Sequence, residues 1–136
     1  MHVQLKLPSN TPGYPFILYQ LLKERQPHES VEHKSMPTWN EHLAYLATEP
    51  HKHLYFIHDS MVTVGVVYIT KKNEVGVFLF RDYRGRGYGP KAVNLLLKKH
   101  NERPLYANIN PANIPSINLF IHQGFRHMQN VYELTK

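Results

Sequence analysis

Glu74-Val-Gly-Val-Phe-Leu-Phe80, then Arg81-Asp-Tyr-Arg84-Gly85-Arg86-Gly87-Tyr88-Gly89, then Pro90-Lys-Ala-Val-Asn-Leu-Leu-Leu-Lys-Lys-His100 is the stretch whose reading decides this fold. The first part is a β-branched and aromatic run that predicts a strand over 74–80, and the last is an amphipathic pattern that predicts a helix over 90–100. Between them lie three of the chain's seven glycines, at 85, 87 and 89. Glycine permits tight turns and lets a ligand approach the backbone without a Cβ in the way. The first turn of a helix has unpaired N–H groups and the positive end of the helix dipole, so it favours anions, phosphate above all. Arg81, Arg84, Arg86 and Lys91 add positive charge around the same turn. The reading is a pyrophosphate cradle.

Two common phosphate loops do not fit. The dinucleotide fingerprint G-x-G-x-x-G needs glycine where this chain has Pro90, and no G-x-x-x-x-G-K-[ST] string occurs. Arg84, Gly87 and Gly89 do fit Arg-x-x-Gly-x-Gly. In this segment the chain closely resembles the GNAT family of N-acetyltransferases, whose acetyl-CoA signature has that form. The resemblance implies cofactor contacts from Arg84, Gly85, Arg86, Gly87, Tyr88 and Gly89.

The rest of the chain agrees with one such domain over residues 1–136. With 136 residues, 42% apolar and 12% aromatic, the chain is long and apolar enough for a single packed core. Zero cysteines exclude disulfides and a thiolate nucleophile. No apolar run is long enough for a membrane span. The start lacks a charged-then-apolar leader pattern, so the expected address is cytoplasmic. The net charge of +6 suits an anionic ligand, yet the basic residues are spread out and match no nucleic-acid motif. The partner expected is therefore a small-molecule amine, with no nucleic acid and no membrane, on a monomer or homodimer.

Along the chain, Met1–Leu7 reads as a strand, Phe16–Arg25 as a helix, and 26–37 as a histidine-bearing loop over the acceptor side. Thr38 and Glu41 form an S/T-x-x-E capping box for a helix with Trp39, Leu43, Leu46 and Ala47 on one face. His53–His58 and Met61–Thr70 read as a hairpin turning at Asp59-Ser60. Leu105–Asn110 is a further strand. Asn113 caps a helix over 114–123, Gly124 lies at its C′ position, and 125–135 is extended. The fold class is α+β: a mixed, mostly antiparallel sheet flanked by about four helices. It resembles the acetyltransferase layout over essentially the whole chain. The family resemblance implies that the sheet splays between strands 74–80 and 105–110.

Asn110-Pro-Ala-Asn113-Ile-Pro-Ser116-Ile-Asn-Leu-Phe120-Ile-His-Gln-Gly124-Phe125 looks like the family's second motif. By that resemblance pantetheine enters the splay and bonds the backbone of Phe78, Leu79 and Phe80, while Asn113 and Ser116 touch the cofactor. Gly76 suits a bulge or a close backbone approach. The family frequently has tyrosine where this chain has Phe120, to protonate the leaving thiolate. Phenylalanine has no proton to give, so either another hydroxyl, Tyr68 or Tyr106, substitutes, or the thiolate leaves unassisted, which a thiol pKa near 8.5 permits.

Acetyl transfer needs a neutral amine, and an alkyl ammonium has a pKa near 10.4, so a base is required. Glu74 and His42 are the leading candidates, ahead of His58, Asp59 and Glu41. Around Trp39, His42 and His53–Ile57 the chain is similar to bacterial acetyltransferases that modify nucleotide-activated amino sugars. That makes an amino sugar the expected acceptor, beside a peptide amine or a non-catalytic acyl-CoA sensor as alternatives. His51 with His53, and His28 with His33, match no metal-binding spacing, so no metal is expected.

Overall fold

The computed structural model describes residues 1–25 and 35–135. Its strands are β1 (Val3–Lys6), β2 (His51–Asp59), β3 (Val62–Thr70) and β4 (Val75–Leu79), and its helices are α1 (Tyr14–Lys23), α2 (Trp39–Ala47), α3 (Tyr88–Lys99) and α4 (Ile114–His122). The four strands form one antiparallel sheet in the order β1-β2-β3-β4. Short 3₁₀ turns occupy Pro8–Asn10 and Arg81–Tyr83.

Strand alternation gives the sheet two apolar faces, each covered by helices. On one face Tyr55, Ile57, Val67, Ile69 and Val75 pack with Ala92, Val93 and Leu96 of α3 and Phe120 of α4. On the other, Phe56 and Val66 pack with Leu18 and Leu21 of α1, and Leu46 of α2 joins them. β4 is the last strand of the sheet, and its far edge is where the cleft forms.

Most element boundaries shift by a residue or two from those the sequence predicts. α1 starts at Tyr14 because Gly13 takes a left-handed φ of 72° as N-cap and Pro15 is tolerated in the first turn. α3 starts at Tyr88, so Gly89 lies inside its first turn. The hairpin turns at Ser60-Met61, where Ser60 has a φ of 55°. The capping box of α2 is present: Glu41 N–H donates to Thr38 Oγ1 at 3.2 Å, and Thr38 N–H donates to Glu41 Oε1 at 2.8 Å. The packing face of α2 is a correction. Leu46 packs on the core as expected, but Trp39, Leu43 and Ala47 keep exposed surface, and the residue this helix buries is His42.

Two predicted strands are absent from the described residues. The segment 105–110 contributes a single parallel bridge, Glu74 to Tyr106, and 125–135 joins no sheet. The first of these is what opens the cleft. Val75 N–H donates to Tyr106 O at 2.7 Å, and beyond that bond β4 and the incoming segment part.

Candidate active site

A cleft of about 870 Å³ fills the gap, within the range of small-molecule sites. Its walls are β4, the 84–90 loop and helix start, residues 108–110, and one side of α4, with Arg25, Tyr68 and Thr70 at one end.

The loop end is built for an anion. Gly85 and Gly87 have φ of 73° and 89°, left-handed values that a side chain rarely adopts. A Cβ on Gly87 would meet nothing within 4 Å, so the space over it is open to a ligand. Gly87 is the N-cap of α3, and no side chain caps that helix. Its first-turn N–H groups therefore face the open cradle, with Arg84 on the rim. Arg84 Nε donates to Leu79 O at 3.1 Å, which ties the loop to the end of β4.

The strand edge offers open backbone groups next, and the residues that carry them differ from those predicted. Phe80 N–H donates to Val64 O at 2.9 Å, so Phe80 turns its backbone toward β3. By the two-residue repeat, Phe78 does the same, while Val75, Val77 and Leu79 turn outward. Val75 N–H is used by Tyr106 and Leu79 O by Arg84, which leaves Val77 and the Leu79 N–H as the open edge among the described residues. The prediction for Phe78 and Phe80 is thus corrected: both turn their backbone groups toward β3, and both side chains pack with α1 on the other face of the sheet, although Phe78 also borders the cleft. Val77, which lines the cleft, is an edge residue that the motif did not point to. Period-two alternation, counted from a known pairing, identifies it.

Of the remaining predicted contacts, Gly85, Gly87, Gly89, Asn113, Ser116 and Glu74 line the cleft. Asn113 also caps α4, accepting from Ser116 N–H at 3.3 Å. Arg86 and Tyr88 do not line it. The Arg86 guanidinium sits 5.6 Å from the Tyr83 ring centroid. Tyr88 is buried, and its hydroxyl donates to Asp59 Oδ2 at 2.5 Å, pinning the start of α3 to the end of β2. That hydrogen bond holds the Asp59 carboxyl below its usual range and engages it away from the cleft.

His42 is corrected outright. It is 3% exposed, lies outside the cleft, and its Nε2 meets Pro15 O at 2.8 Å between the rings of Tyr19 and Trp39. It bolts α2 to α1 and is not placed to act as a base. The 26–34 part of the predicted acceptor loop, with His28 and His33, lies outside the described residues.

Glu74 stands where β4 and the 105–110 segment part, and it lines the cleft. Its backbone N–H donates to Thr70 Oγ1 at 3.1 Å, and its carboxylate makes no hydrogen bond or ion pair among the described residues. Tyr68, its neighbour on β3, is opposite Gly76 and lays its ring over that glycine. Burial, reinforced by Tyr45 and Glu74, pushes the Tyr68 phenol up to about 12, so it keeps its proton at neutral pH. Tyr106 is absent from the cleft lining.

The close fit at Gly76 gives a direct test. A Cβ there would come within 2.2 Å of Tyr68 Cζ. Gly76→Ala should therefore displace the ring or the strand, at a cost of about 1–3 kcal/mol. That corresponds to a fall in Tm of roughly 3–10 °C. An unchanged Tm would show that the Tyr68 ring does not rest on this glycine.

Phe120 belongs to the end of α4. Phe125 N–H donates to Phe120 O and Gly124 N–H donates to Ile121 O, both at 3.0 Å, with Gly124 at a φ of 98°. This is a Schellman motif, and its apolar contact is the edge-to-face pair Phe120–Phe125 at 5.1 Å. A packing role accounts for the phenylalanine.

The comparisons agree with this geometry. An acetyltransferase from Thermus thermophilus superposes with a TM-score of 0.73 at 19% identity, covering 96% of this chain and 90% of that one. A spermidine N-acetyltransferase from Vibrio cholerae, solved with CoA and spermine, gives 0.79 at 15% identity, with 94% and 83% covered. A microcin C7 self-immunity acetyltransferase, solved with acetyl-CoA and AMP, gives 0.62 at 18% identity, with 91% and 78% covered. No curated protein sequence matches significantly. Residues 17–125 match the Acetyltransferase (GNAT) family. The chain belongs to that family of N-acetyltransferases.

Proposed function

We propose that this protein transfers the acetyl group of acetyl-CoA to a primary amine of a small molecule. The observation that carries the reading is the alignment of an uncapped glycine-rich helix start with a strand edge left open at Val77 and the Leu79 N–H, close to Glu74. The helix start and Arg84 would hold the pyrophosphate, and Val77 and Leu79 would bond the pantetheine amides as a fifth strand does. From Val75 to Leu79 the edge runs roughly 13 Å, room for an extended chain. Asn113 and Ser116 face the same channel from α4.

The bound thioester supplies an activated acyl group and a thiol leaving group. Glu74 takes the proton that the acceptor ammonium must lose, directly or through water. Tyr68 Oη gives its proton to the departing sulfur in place of the missing tyrosine at 120, and the tyrosinate regains one from protonated Glu74 or from water. Tyr68→Phe should then lower kcat by about 10²-fold or more, while Phe120→Tyr should change it little. Equal turnover in wild type and Tyr68→Phe would mean that the thiolate leaves unassisted.

The acceptor approaches beside Arg25, Tyr68 and Thr70. A guanidinium there disfavours a polycation and suits an amine that also carries an anionic group. We therefore retain an anionic amino sugar as the acceptor class. Its support is now Arg25 and the net charge of +6, in place of His42. Acetyl-CoA should raise the melting temperature, and CoA-thiol release should be measured with amino-sugar nucleotides, polyamines, aminoglycosides and short peptides. Stabilisation without release on any amine would favour the acyl-CoA sensor reading. A preference for polyamines would remove the amino sugar.

A further inference from the structure

On the α3 side of the sheet, away from the cleft lining, His53 of β2, His100 at the end of α3 and Glu102 just after it come together. One ligand-type atom from each lies within 4.8 Å of the others, and all three residues are half-buried. His53 Nε2 is 3.0 Å from Glu102 Oε2, and His100 Nδ1 is 3.8 Å from Glu102 Oε1. Two ligands on one tetrahedral ion stand about 3.4 Å apart, given metal–ligand bonds near 2.0–2.1 Å. The two histidine–carboxylate separations, one to each oxygen of Glu102, fall on either side of that value.

We propose that His53, His100 and Glu102 form a binding site for one divalent transition-metal ion of the zinc type. Two imidazole nitrogens and a carboxylate are borderline donors that favour Zn²⁺, Cu²⁺ or Ni²⁺ over Ca²⁺ and Mg²⁺. Three protein ligands leave a fourth position for water. This site does not depend on the acyl-transfer reading.

The surroundings support each ligand. Tyr55 Oη is 2.8 Å from His100 Nε2. With the Nε2 proton given to that oxygen, His100 Nδ1 turns a lone pair toward the cluster, the outer-shell arrangement common among metal-bound histidines. Lys52 Nζ lies 3.0 Å from Glu102 Oε2 and pairs with that carboxylate. A metal ion would take over that neutralising role, leaving Lys52 its second partner, Asn73 Oδ1. The cost lies in the rings. His53 and His100 are stacked at 3.6 Å and 18°, and they must hinge apart for both lone pairs to reach one ion.

Zn²⁺ titration of the EDTA-stripped full chain by calorimetry should give one tight site per chain. Co²⁺ in its place should give the intense visible bands of a tetrahedral nitrogen–oxygen site. Glu102→Gln and His100→Asn should each weaken Zn²⁺ binding at least tenfold, and Tyr55→Phe should weaken it by roughly 10-fold. His122→Ala with His127→Ala, histidines outside the cluster, should leave it unchanged. Circular dichroism confirms that each variant is folded. If a variant does not fold, the wild-type Co²⁺ spectrum decides: its absence overturns the proposal. Zn²⁺ binding that persists in folded Glu102→Gln and His100→Asn overturns it too, since the metal would then be held by other histidines.

Discussion

Gly87→Val should weaken acetyl-CoA binding roughly 10- to 100-fold, read by calorimetry or by loss of cofactor-induced thermal stabilisation. Gly87 is the N-cap of α3 at a φ of 89°, with open space where a Cβ would go. A valine meets two penalties there. Its β-branch resists left-handed backbone, costing about 1–2 kcal/mol, and its methyls project into the space that the phosphate needs. Each charge-assisted hydrogen bond lost from the helix start costs about 1.5–3 kcal/mol, which sets the fold-change. The core under α3, built from Ala92, Val93 and Leu96, does not touch this position. The variant should therefore remain folded, with a somewhat lower Tm. Unaltered affinity in a folded Gly87→Val protein would place the pyrophosphate elsewhere.

Glu74→Gln should lower kcat/KM for the acceptor about 10²- to 10⁴-fold at pH 7, with the KM for acetyl-CoA little changed. Glutamine keeps the shape at the point where β4 and the 105–110 segment part but cannot take a proton. Raising the pH toward the amine's own pKa, near 10.4 for an alkyl ammonium, supplies neutral acceptor from solution. The deficit should therefore shrink as pH rises. A deficit independent of pH would assign Glu74 to holding the acceptor, and full activity at pH 7 would remove it from the mechanism.

These variants fail at different steps. Gly87→Val acts on cofactor binding, Glu74→Gln on the acceptor's proton and Tyr68→Phe on the departing sulfur. Cofactor calorimetry beside the acceptor pH profile therefore separates a wrong cofactor assignment from a wrong catalytic one.

Local chemistry was legible in the sequence because short-range rules write it. The strand–glycine–helix order over 74–100, the Thr38–Glu41 capping box, the Asn113 cap and the Gly124 turn depend on residues within a few positions of one another, and the structure has each of them. The side of a strand that a backbone group faces was not legible. It depends on pairing register, so the open edge passed from Phe78 and Phe80 to Val77 and Leu79. Nor was the fate of His42: polar by type and drawn toward a catalytic role by its likeness to other enzymes, it was claimed by the packing of α2 on α1 and the carbonyl of Pro15.

The sequence by itself determined the helix-start cradle and the family, because glycine conformations and loop charges act locally. Only the tertiary structure decided where β4 and the 105–110 segment part, and that is set by a single bridge between Glu74 and Tyr106. Only it placed Tyr68 over Gly76 across a strand pair. His53 meets His100 and Glu102 across a chain separation of 47 residues or more. No spacing rule spans that gap, because packing α3 against the sheet is what brings the three side chains together.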